Sequence, residues 1–278
     1  KAMKYIYYYP STTDNLTGFT SDGYTVNSAS NYNVNSRTQV NWNWKAGGSA
    51  SSNSDGDITS SVSANTTSGF SILTYTGNGT NGNTVGTGLN QAAEFVIVKP
   101  RDQAENWNVQ TQGKRLNLNL TLTSYTSYLM TFNTSTVALT DLTYQNGNNY
   151  SMLMYAFHSV QGFSKFGSYT GNGNADGAFV YTGFKPAFIM YKKSSNAGRW
   201  SIRDNKRDPF NVATKGLEAN GSTAENTGSQ YWDLDMLSNG FKLRTTEQET
   251  NQSGETFIFY AVAEAPLVNS KGVPCNAR

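Results

Sequence analysis

An internal repeat constrains this chain more than any other feature of its sequence. The pattern Tyr-Thr-Gly-Asn-Gly at 75–79 returns 94 residues later, at 169–173. An apolar stretch at 95–99 likewise returns at 188–192, in the same order along the chain. Because the two copies share one pattern, we expect two similar structural units, and any fold assigned to the chain must fit both.

The stretches that close the two copies indicate where the units of the chain begin and end. Each copy closes with an aromatic stretch, at 152–157 and 257–262, and the pattern of these stretches also occurs at 40–44. Residues 21–26 match 238–243 as well. These matches predict the closing half of a first unit at 1–46, a second unit at 47–160, a third unit at 161–267 and a polar tail at 268–278. A half unit cannot bury its apolar face alone, so we expect either a longer array upstream or pairing with another chain.

Composition and turn signals predict strands and not helices. The chain has 17 Tyr, 14 Phe and 5 Trp, together with many Thr and Val, and good helix formers are sparse. Asn-Gly and Asp-Gly pairs, which suit tight hairpins, recur at 81, 146, 176, 220 and 239. Alternating faces at 179–183 and 188–192 fit half-buried strands. We therefore predict an all-β fold of tandem, jelly-roll-like β-sandwich units.

Charge and cysteine content exclude several classes of partner. With 21 basic and 19 acidic residues the net charge is +2, so the chain has no electrostatic footprint for nucleic acid. No apolar run approaches the roughly 20 residues that span a bilayer, so no membrane insertion is expected. Cys275 is the single cysteine, which rules out an intrachain disulfide or a cysteine-rich metal site. We predict no cofactor.

Candidate catalytic groups do not repeat between the units. His158 is the only histidine and would have to serve as the base of a Ser-His-Asp site, yet Ala263 or a neighbour takes its place in the third unit. Gln110 stands in the second unit where Asp204 falls in the third. The acids considered for glycoside hydrolysis are Asp204, Asp208, Asp233 and Asp235. Because the asymmetry argues against shared catalysis, we predict no enzymatic activity, with a polysaccharide depolymerase as the alternative.

Two loops resemble parts of calcium sites. Residues 172–177 match the first half of a calcium loop, but Gly183 occupies the position at which the loop needs its closing Glu. Residues 55–57 are a weaker candidate. We interpret both as turns built by Asn, Asp and Gly, and predict no metal site.

Four repeated residues are candidates for ligand contact. Tyr75 and Asn78 in one copy correspond to Tyr169 and Asn172 in the other, all in loops rich in Asn and Gly. Tyrosine rings stack on sugars and asparagine amides bond to their hydroxyls, which predicts glycan binding. The repetition is explained equally well by turn geometry with tyrosine as a core anchor.

The pattern resembles a known kind of viral domain. Residues 183–192, 199–204 and 237–241, with the closing Phe-Tyr-Ala strand, are similar to a repeat domain of marine tailed-phage (cyanophage-like) virion structural proteins, often described as tail-fibre proteins. The third unit carries the pattern best, because the second has Asn-Gln-Ala at 90–92 where Lys-Pro-Ala stands at 185–187.

The resemblance implies a function and a location. It implies a virion structural protein, a tail fibre or surface appendage, that forms a homo-oligomer such as a trimer and contacts other virion proteins. Contact with host-surface glycan is expected from the Asn- and Tyr-rich loops and not from the resemblance. The corresponding location is the virion, on the tail or the capsid surface. Two alternatives stay open: a capsid decoration protein, and a lectin-like glycan-binding module without a structural role.

Overall fold

The chain folds into antiparallel β-sheets in the computed structural model, which describes residues 16–20, 23–26, 35–36, 41–111, 113–226 and 230–266. The all-β prediction is confirmed. The first strands are β1 (Leu16–Phe19), β2 (Tyr24–Val26), β3 (Ser51–Asn53), β4 (Ser60–Asn65), β5 (Phe70–Thr76), β6 (Thr84–Gly86), β7 (Phe95–Pro100), β8 (Asn108–Thr111), β9 (Lys114–Asn117), β10 (Thr131–Phe132), β11 (Thr136–Ala138) and β12 (Ser151–Phe157), with helix α1 (Thr143–Asn146) before β12.

The remaining strands follow after a short connection. They are β13 (Ser164–Thr170), β14 (Phe179–Tyr181), β15 (Pro186–Lys193), β16 (Trp200–Asp204), β17 (Leu217–Glu218), β18 (Leu234–Leu237), β19 (Gly240–Leu243) and β20 (Thr256–Ala263), with a 3-10 helix (Gln230–Trp232) before β18 and helix α2 (Gln248–Asn251) before β20. We call β3–β12 sandwich I and β13–β20 sandwich II. No helix among the described residues is long and apolar enough to cross a membrane.

Each sandwich pairs a large sheet with a small one. In sandwich I the large sheet has the order β3-β4-β5-β12-β7-β8-β9 and the small one β10-β11-β6. In sandwich II the orders are β13-β20-β15-β16-β17 and β14-β19-β18. Leu73, Val96 and Met154 belong to the core of sandwich I, and Tyr169 and Phe241 to that of sandwich II.

The two sandwiches share one strand order. The run β5-β12-β7-β8-β9 corresponds to β13-β20-β15-β16-β17, and β6-β11-β10 to β14-β19-β18. Tyr75 lies opposite Met152 as Tyr169 lies opposite Phe257, so the predicted equivalence of these tyrosines agrees with the strand pairing. Within the part of the chain that the structure describes, the strands β3 and β4 of sandwich I have no counterpart in sandwich II.

Strand pairing corrects one sequence match by a single residue. Val96 lies opposite Gln110, and Ile189 lies opposite Arg203 at the corresponding point of sandwich II. Gln110 is therefore the counterpart of Arg203 and not of Asp204. A one-residue shift changes the face on which a side chain lies, so this correction changes which polar groups are compared.

The large sheets of the two sandwiches pack face to face. Phe95 and Phe157 of sandwich I meet Phe166 and Tyr260 of sandwich II, with ring centroids 5.3 Å apart for Phe95 and Phe166. The indole Nε1 of Trp200 donates across this interface to the Asn117 carbonyl oxygen at 2.9 Å. Aromatic pairs at such distances add stability beyond their buried area, so the sandwiches form one body.

The N-terminal region is only partly described. Strands β1 and β2 form a hairpin, and residues 41–47 contain no strand. The aromatic strand expected at 40–44 is therefore wrong for residues 41–44: Trp44 packs on Phe70 and Phe157 at the edge of the interface instead of pairing in a sheet. Most of the predicted half unit at 1–46, and the predicted tail with Cys275, lie outside the described residues.

Candidate functional site

The two predicted asparagines are held by equivalent amide pairs. The backbone N–H of Asn78 donates to Oδ1 of Asn146 at 2.9 Å, and Nδ2 of Asn146 donates back to Oδ1 of Asn78 at 3.0 Å. Asn172 forms the same two bonds with Asn251, both at 2.9 Å. Each loop is thereby tied to the short helix that precedes the closing strand of its sandwich.

The two predicted tyrosines anchor the same helices. Tyr75 is 5% exposed and donates its hydroxyl to the Gln145 carbonyl oxygen at 2.5 Å; Tyr169 is 8% exposed and donates to the Thr250 carbonyl oxygen at 2.9 Å. Burial raises the pKa of both hydroxyls. Neither ring offers an open face for a sugar, so the structure supports the core-anchor interpretation of these residues over ligand contact.

Close backbone contact explains the glycines of the repeated motif. A Cβ at Gly77 would lie 2.2 Å from the Gly147 carbonyl oxygen, and one at Gly171 would lie 2.2 Å from that of Gln252. Only glycine fits such an approach. Sequence reasoning missed Asn146 and Asn251 as partners, although they stand at equal distances before the two closing strands.

The other predicted groups are engaged within the chain. His158 is buried, and its Nδ1 lies 2.9 Å from the Ser159 carbonyl oxygen instead of a carboxylate. In the loop that resembles a calcium site, Asp176 lies 2.9 Å from Lys242 Nζ, and this cation holds the pKa of the Asp176 carboxyl below its usual value. In the weaker candidate loop, Asp57 accepts bonds from Thr84. The described part of the chain contains no cluster of three or more metal-ligating side chains.

Three of the four aspartates have defined structural partners. Asp204 accepts from the backbone N–H of Arg207 at 2.9 Å, Asp208 from that of Lys215 at 2.6 Å, and Asp235 pairs with Arg244. These bonds stabilise turns and strand ends. Asp233 differs, because burial raises its pKa and, among the described residues, its Oδ1 has no hydrogen-bond partner.

A polar cleft of about 350 Å³ opens on sandwich II, where residues far apart in the sequence meet. Strand ends supply Arg199 and Glu218, the 3-10 helix supplies Tyr231 and Trp232, and the start of α2 supplies Glu249. We call this feature the acidic cleft; its lining residues are Arg199, Gly216, Glu218, Thr223, Ala224, Asn226, Tyr231, Trp232, Glu247 and Glu249.

The charged groups of the acidic cleft are held in place. Nη1 of Arg199 lies 2.6 Å from Oε1 of Glu218, and the backbone N–H of Arg199 donates to Oε2 of Glu249 at 2.8 Å. Tyr231 is 54% exposed beside them. The cleft thus presents fixed carboxylate acceptors, a guanidinium donor and an accessible ring, the groups that bind hydroxyl-rich ligands.

A fully buried arginine lies behind the floor of the acidic cleft. Nη2 of Arg203 donates to the Trp232 carbonyl oxygen at 2.9 Å, and its guanidinium lies 4.6 Å from the Trp232 ring centroid. Among the described residues, Nε and Nη1 have no hydrogen-bond partner. Burial lowers the pKa of Arg203, while the Tyr191 hydroxyl and the carboxylates of Asp208 and Asp233 favour its charged form.

Gly216 is what separates Arg203 from the cleft. A Cβ at this position would lie 1.6 Å from Nη1 of Arg203, so no other residue fits without displacing the guanidinium. Since Gly216 also lines the cleft, the buried guanidinium of Arg203 lies directly beneath the cleft floor. None of these residues was identified as a site from the sequence, because their positions give no signal of proximity.

A second, apolar opening of about 340 Å³ lies at the rim of the interface between the sandwiches. Trp42 and Trp44 form one side of it, and Phe163, Phe188 and Tyr260 lie on the other. Burial raises the pKa of Tyr260 to about 12. Aromatic rings make up much of its lining, so it suits packing of chain segments better than recognition of a polar ligand.

Comparison with known proteins gives one match. A family model described as Domain of unknown function (DUF7483) matches residues 7–266. No curated protein and no solved structure matches the chain. The match covers β1 to β20, so the family model extends over both sandwiches and the N-terminal hairpin together.

Proposed function

The chain belongs to the DUF7483 family, and we propose that it is a virion structural protein of a tailed phage, a tail fibre or surface appendage built from β-sandwich modules. In this proposal the two sandwiches are two copies of one module. The shared order of their strands supports the module, because unrelated sheets have no reason to repeat the same non-sequential pairing.

The observation that carries the proposal is the aromatic interface between the sandwiches. Phe166 stacks on Tyr260 with ring centroids 4.5 Å apart, and Phe95 packs on Phe166 from the opposite sheet. The interface leaves no linker at which the sandwiches could hinge. A particle appendage under mechanical load needs such a stiff block, whereas a catalytic protein needs a site that this body does not organise around His158 or the aspartates.

The remaining parts of the proposal concern assembly. The protein forms a homo-oligomer, with a trimer as the expected form, and contacts other virion proteins. Neutral Asn, Ser, Thr and Gly cover much of its surface, and the net charge is +2. Such a surface resists nonspecific attraction to nucleic acid and anionic membranes, which suits a particle exposed to the medium.

The test is to locate the chain on the intact particle. Cryo-EM of phage particles labelled with antibody fragments raised against the chain, with fragments from an unrelated antibody as control, is expected to show labelled density in a tail appendage. Labelling on the capsid lattice would instead establish the decoration protein, and absence of label from purified particles would contradict any virion role.

Glycan binding is a second candidate function, favoured by the acidic cleft. Glu218 and Glu249 are fixed by Arg199, and Tyr231 is exposed beside them. Carboxylates that accept sugar hydroxyls beside an aromatic ring form a usual sugar-binding arrangement. The ligand class is then a neutral host-surface polysaccharide.

A glycan array with matched variants tests this second function. Tyr231→Ala removes the exposed ring of the acidic cleft, and Tyr128→Ala removes a similarly exposed tyrosine of sandwich I. We expect binding to fall at least about tenfold for Tyr231→Ala and to stay unchanged for Tyr128→Ala. Equal binding by both variants would reject the cleft, and no binding by the wild type would reject the function.

A further inference from the structure

The large sheet of sandwich II ends at an uncovered strand. In sandwich I, β4 pairs along β5 and β3 lies outside β4. The counterpart of β5 is β13, and among the described residues no strand pairs with its outer edge. Only residues 158–163 connect β12 to β13, which is too short a segment to supply a hairpin like the one at 51–65.

Backbone groups at this edge are left without partners. In an antiparallel sheet, the backbone N–H and C=O groups of successive residues point alternately to the two edges of the strand. Ser164 bonds outward to Val160 and the Phe166 N–H bonds outward to Ser159, so the even-numbered residues of β13 face away from β20. Within the described residues, the outward N–H and C=O groups of Ser168 and Thr170 have no hydrogen-bond partner.

A groove of about 360 Å³ runs along the same edge, into the gap between the two sheets. Its far side is β14, where Phe179 is 46% exposed and Tyr181 is 59% exposed. On its near side the Phe259 ring covers Gly167, at which a Cβ would lie 2.6 Å from ring atoms. Lys165 of β13 crosses part of the groove, where its Nζ donates to the Tyr181 carbonyl oxygen at 2.9 Å, and Phe179 stays exposed beyond it. An exposed aromatic side chain beside an unpaired strand edge is a usual mark of an interaction surface.

Sandwich I has a strand where this groove lies in sandwich II. Val62 of β4 lies opposite Leu73 and reaches the core, and Ile58 forms a bridge to Val85 of β6, with its N–H donating to the Thr84 carbonyl oxygen at 2.9 Å. The segment thus adds backbone bonds to β5 and closes the gap toward β6 with two apolar side chains.

We infer that the groove between β13 and β14 accepts an extended strand of another polypeptide, which pairs antiparallel with β13. The partner segment is polar, with two apolar residues four positions apart, as Ile58 and Val62 are in sandwich I. Its backbone bonds Ser168 and Thr170, and its apolar side chains cover the exposed ring of Phe179. Strand addition of this kind gains affinity from backbone bonds and specificity from alternate side chains.

A peptide with the sequence of residues 56–66 is the natural probe, because it carries the segment that fills the equivalent gap. With a fluorescent label, it is expected to bind the whole chain saturably, with a Kd tighter than about 100 μM. A peptide with Asp at the positions of Ile58 and Val62 keeps the backbone but loses the apolar contacts, and is expected to bind at least about tenfold more weakly.

A pair of chain variants locates the binding at β13. Ser168→Pro removes the outward N–H and is tolerated at a sheet edge, whereas Ser168→Ala keeps that N–H. We expect Ser168→Pro to weaken peptide binding at least about tenfold and Ser168→Ala to leave it unchanged. Binding that survives Ser168→Pro would place the peptide elsewhere and overturn the inference, as would absence of binding to the wild type.

Hydrogen exchange keeps the test decisive if Ser168→Pro fails to fold. In the wild-type chain, saturating peptide is expected to slow exchange of the Ser168 and Thr170 amides, with no change at Thr74 of sandwich I. Slowing at Thr74 instead, or at neither strand, would show that the groove does not take up a strand.

Discussion

Sandwiches I and II have the same strand order, yet they differ in a buried polar side chain and in the covering of one sheet edge. At one buried position sandwich I has Gln110, whose amide bonds both the N–H and the carbonyl oxygen of Met130 at 2.6 Å. Sandwich II has Arg203 there, with two donors unused among the described residues. At the sheet edge, β4 covers β5 in sandwich I, whereas no strand among the described residues covers β13 in sandwich II. One strand order thus accommodates two different buried polar groups and two different sheet edges.

The largest expected effect concerns the interface tryptophan. Trp200 is buried and bonds Asn117 across the interface, whereas its counterpart Trp107 is only partly buried. Trp200→Ala is expected to lower the free energy of unfolding by about 3–5 kcal/mol, and Trp107→Ala by less than half as much. Denaturant unfolding measures both. Equal losses would mean that the interface adds nothing to sandwich II beyond ordinary core packing.

The pH dependence of stability compares the lowered pKa values of two buried lysines, one in each sandwich. Burial lowers the pKa of Lys192 to about 8, and the pKa of its counterpart Lys99 is lowered as well. Since the unfolded chain keeps Lys192 protonated up to its ordinary value of 10.5, the unfolded state binds more protons between pH 8 and 10.5. The stability contribution of this position therefore rises with pH in that window, by roughly 3 kcal/mol in total.

Substitution of the lysines isolates this contribution. Lys192→Met is expected to remove the rise between pH 8 and 10.5, seen as the difference between wild-type and variant unfolding curves. Lys99→Met is expected to remove a smaller rise of the same sign. A difference curve that is flat, or that falls with pH, would show that Lys192 keeps an ordinary pKa in the folded chain.

Apolar replacements at the corresponding positions Gln110 and Arg203 are expected to change the free energy of unfolding by different amounts. Gln110→Leu leaves both Met130 groups unpaired and should lower the free energy of unfolding by about 2–3 kcal/mol. Arg203→Met removes a buried charge that is incompletely bonded but leaves the Trp232 carbonyl oxygen without its donor, so its cost should be about 1–2 kcal/mol. Thermal unfolding separates the two cases. A larger loss for Arg203→Met would show that its donors are satisfied and that the comparison fails.

The smallest effect concerns the asparagines that hold the repeated loops. Nδ2 of Asn251 donates to Asn172, Asn174 and Thr245, whereas that of Asn146 donates to Asn78 and Thr80. Asn251→Ala should cost about 2 kcal/mol and Asn146→Ala about 1 kcal/mol. The denaturant midpoints of the two variants show which substitution costs more stability. The reverse ranking would mean that the extra bond of Asn251 adds no stability.

The fold class could be predicted because strand formation depends on local signals. Aromatic and β-branched residues, and the recurring Asn-Gly pairs, are read directly from the sequence. The repeat also predicted the equivalence of Tyr75 and Tyr169, since identical turns require identical residues. It could not tell anchors from ligand contacts, because burial of these rings depends on helices whose contact residues lie 70 and 81 residues away along the chain.

The interface and the acidic cleft could not be predicted, for the same physical reason. Strand β7 is buried on both faces, and an apolar run does not say whether its second face meets another sheet of the chain or another layer of the same unit. The cleft joins Arg199, Glu218, Tyr231 and Glu249, whose spacing follows no period. The one-residue error at Gln110 arose because the offset between the copies changes from 94 residues at Tyr75 to 93 residues at the stretch 95–99.

Amide hydrogen exchange at equivalent residues of the two sandwiches tests the central claim most directly, namely that one sandwich has a closed edge and the other an open one. Thr74 of β5 and Ser168 of β13 occupy the same position, but Thr74 faces β4 and Ser168 faces no described strand. The account predicts that the Thr74 amide exchanges at least about a hundredfold more slowly than the Ser168 amide, after correction for intrinsic rates. Equal protection of the two amides would contradict it.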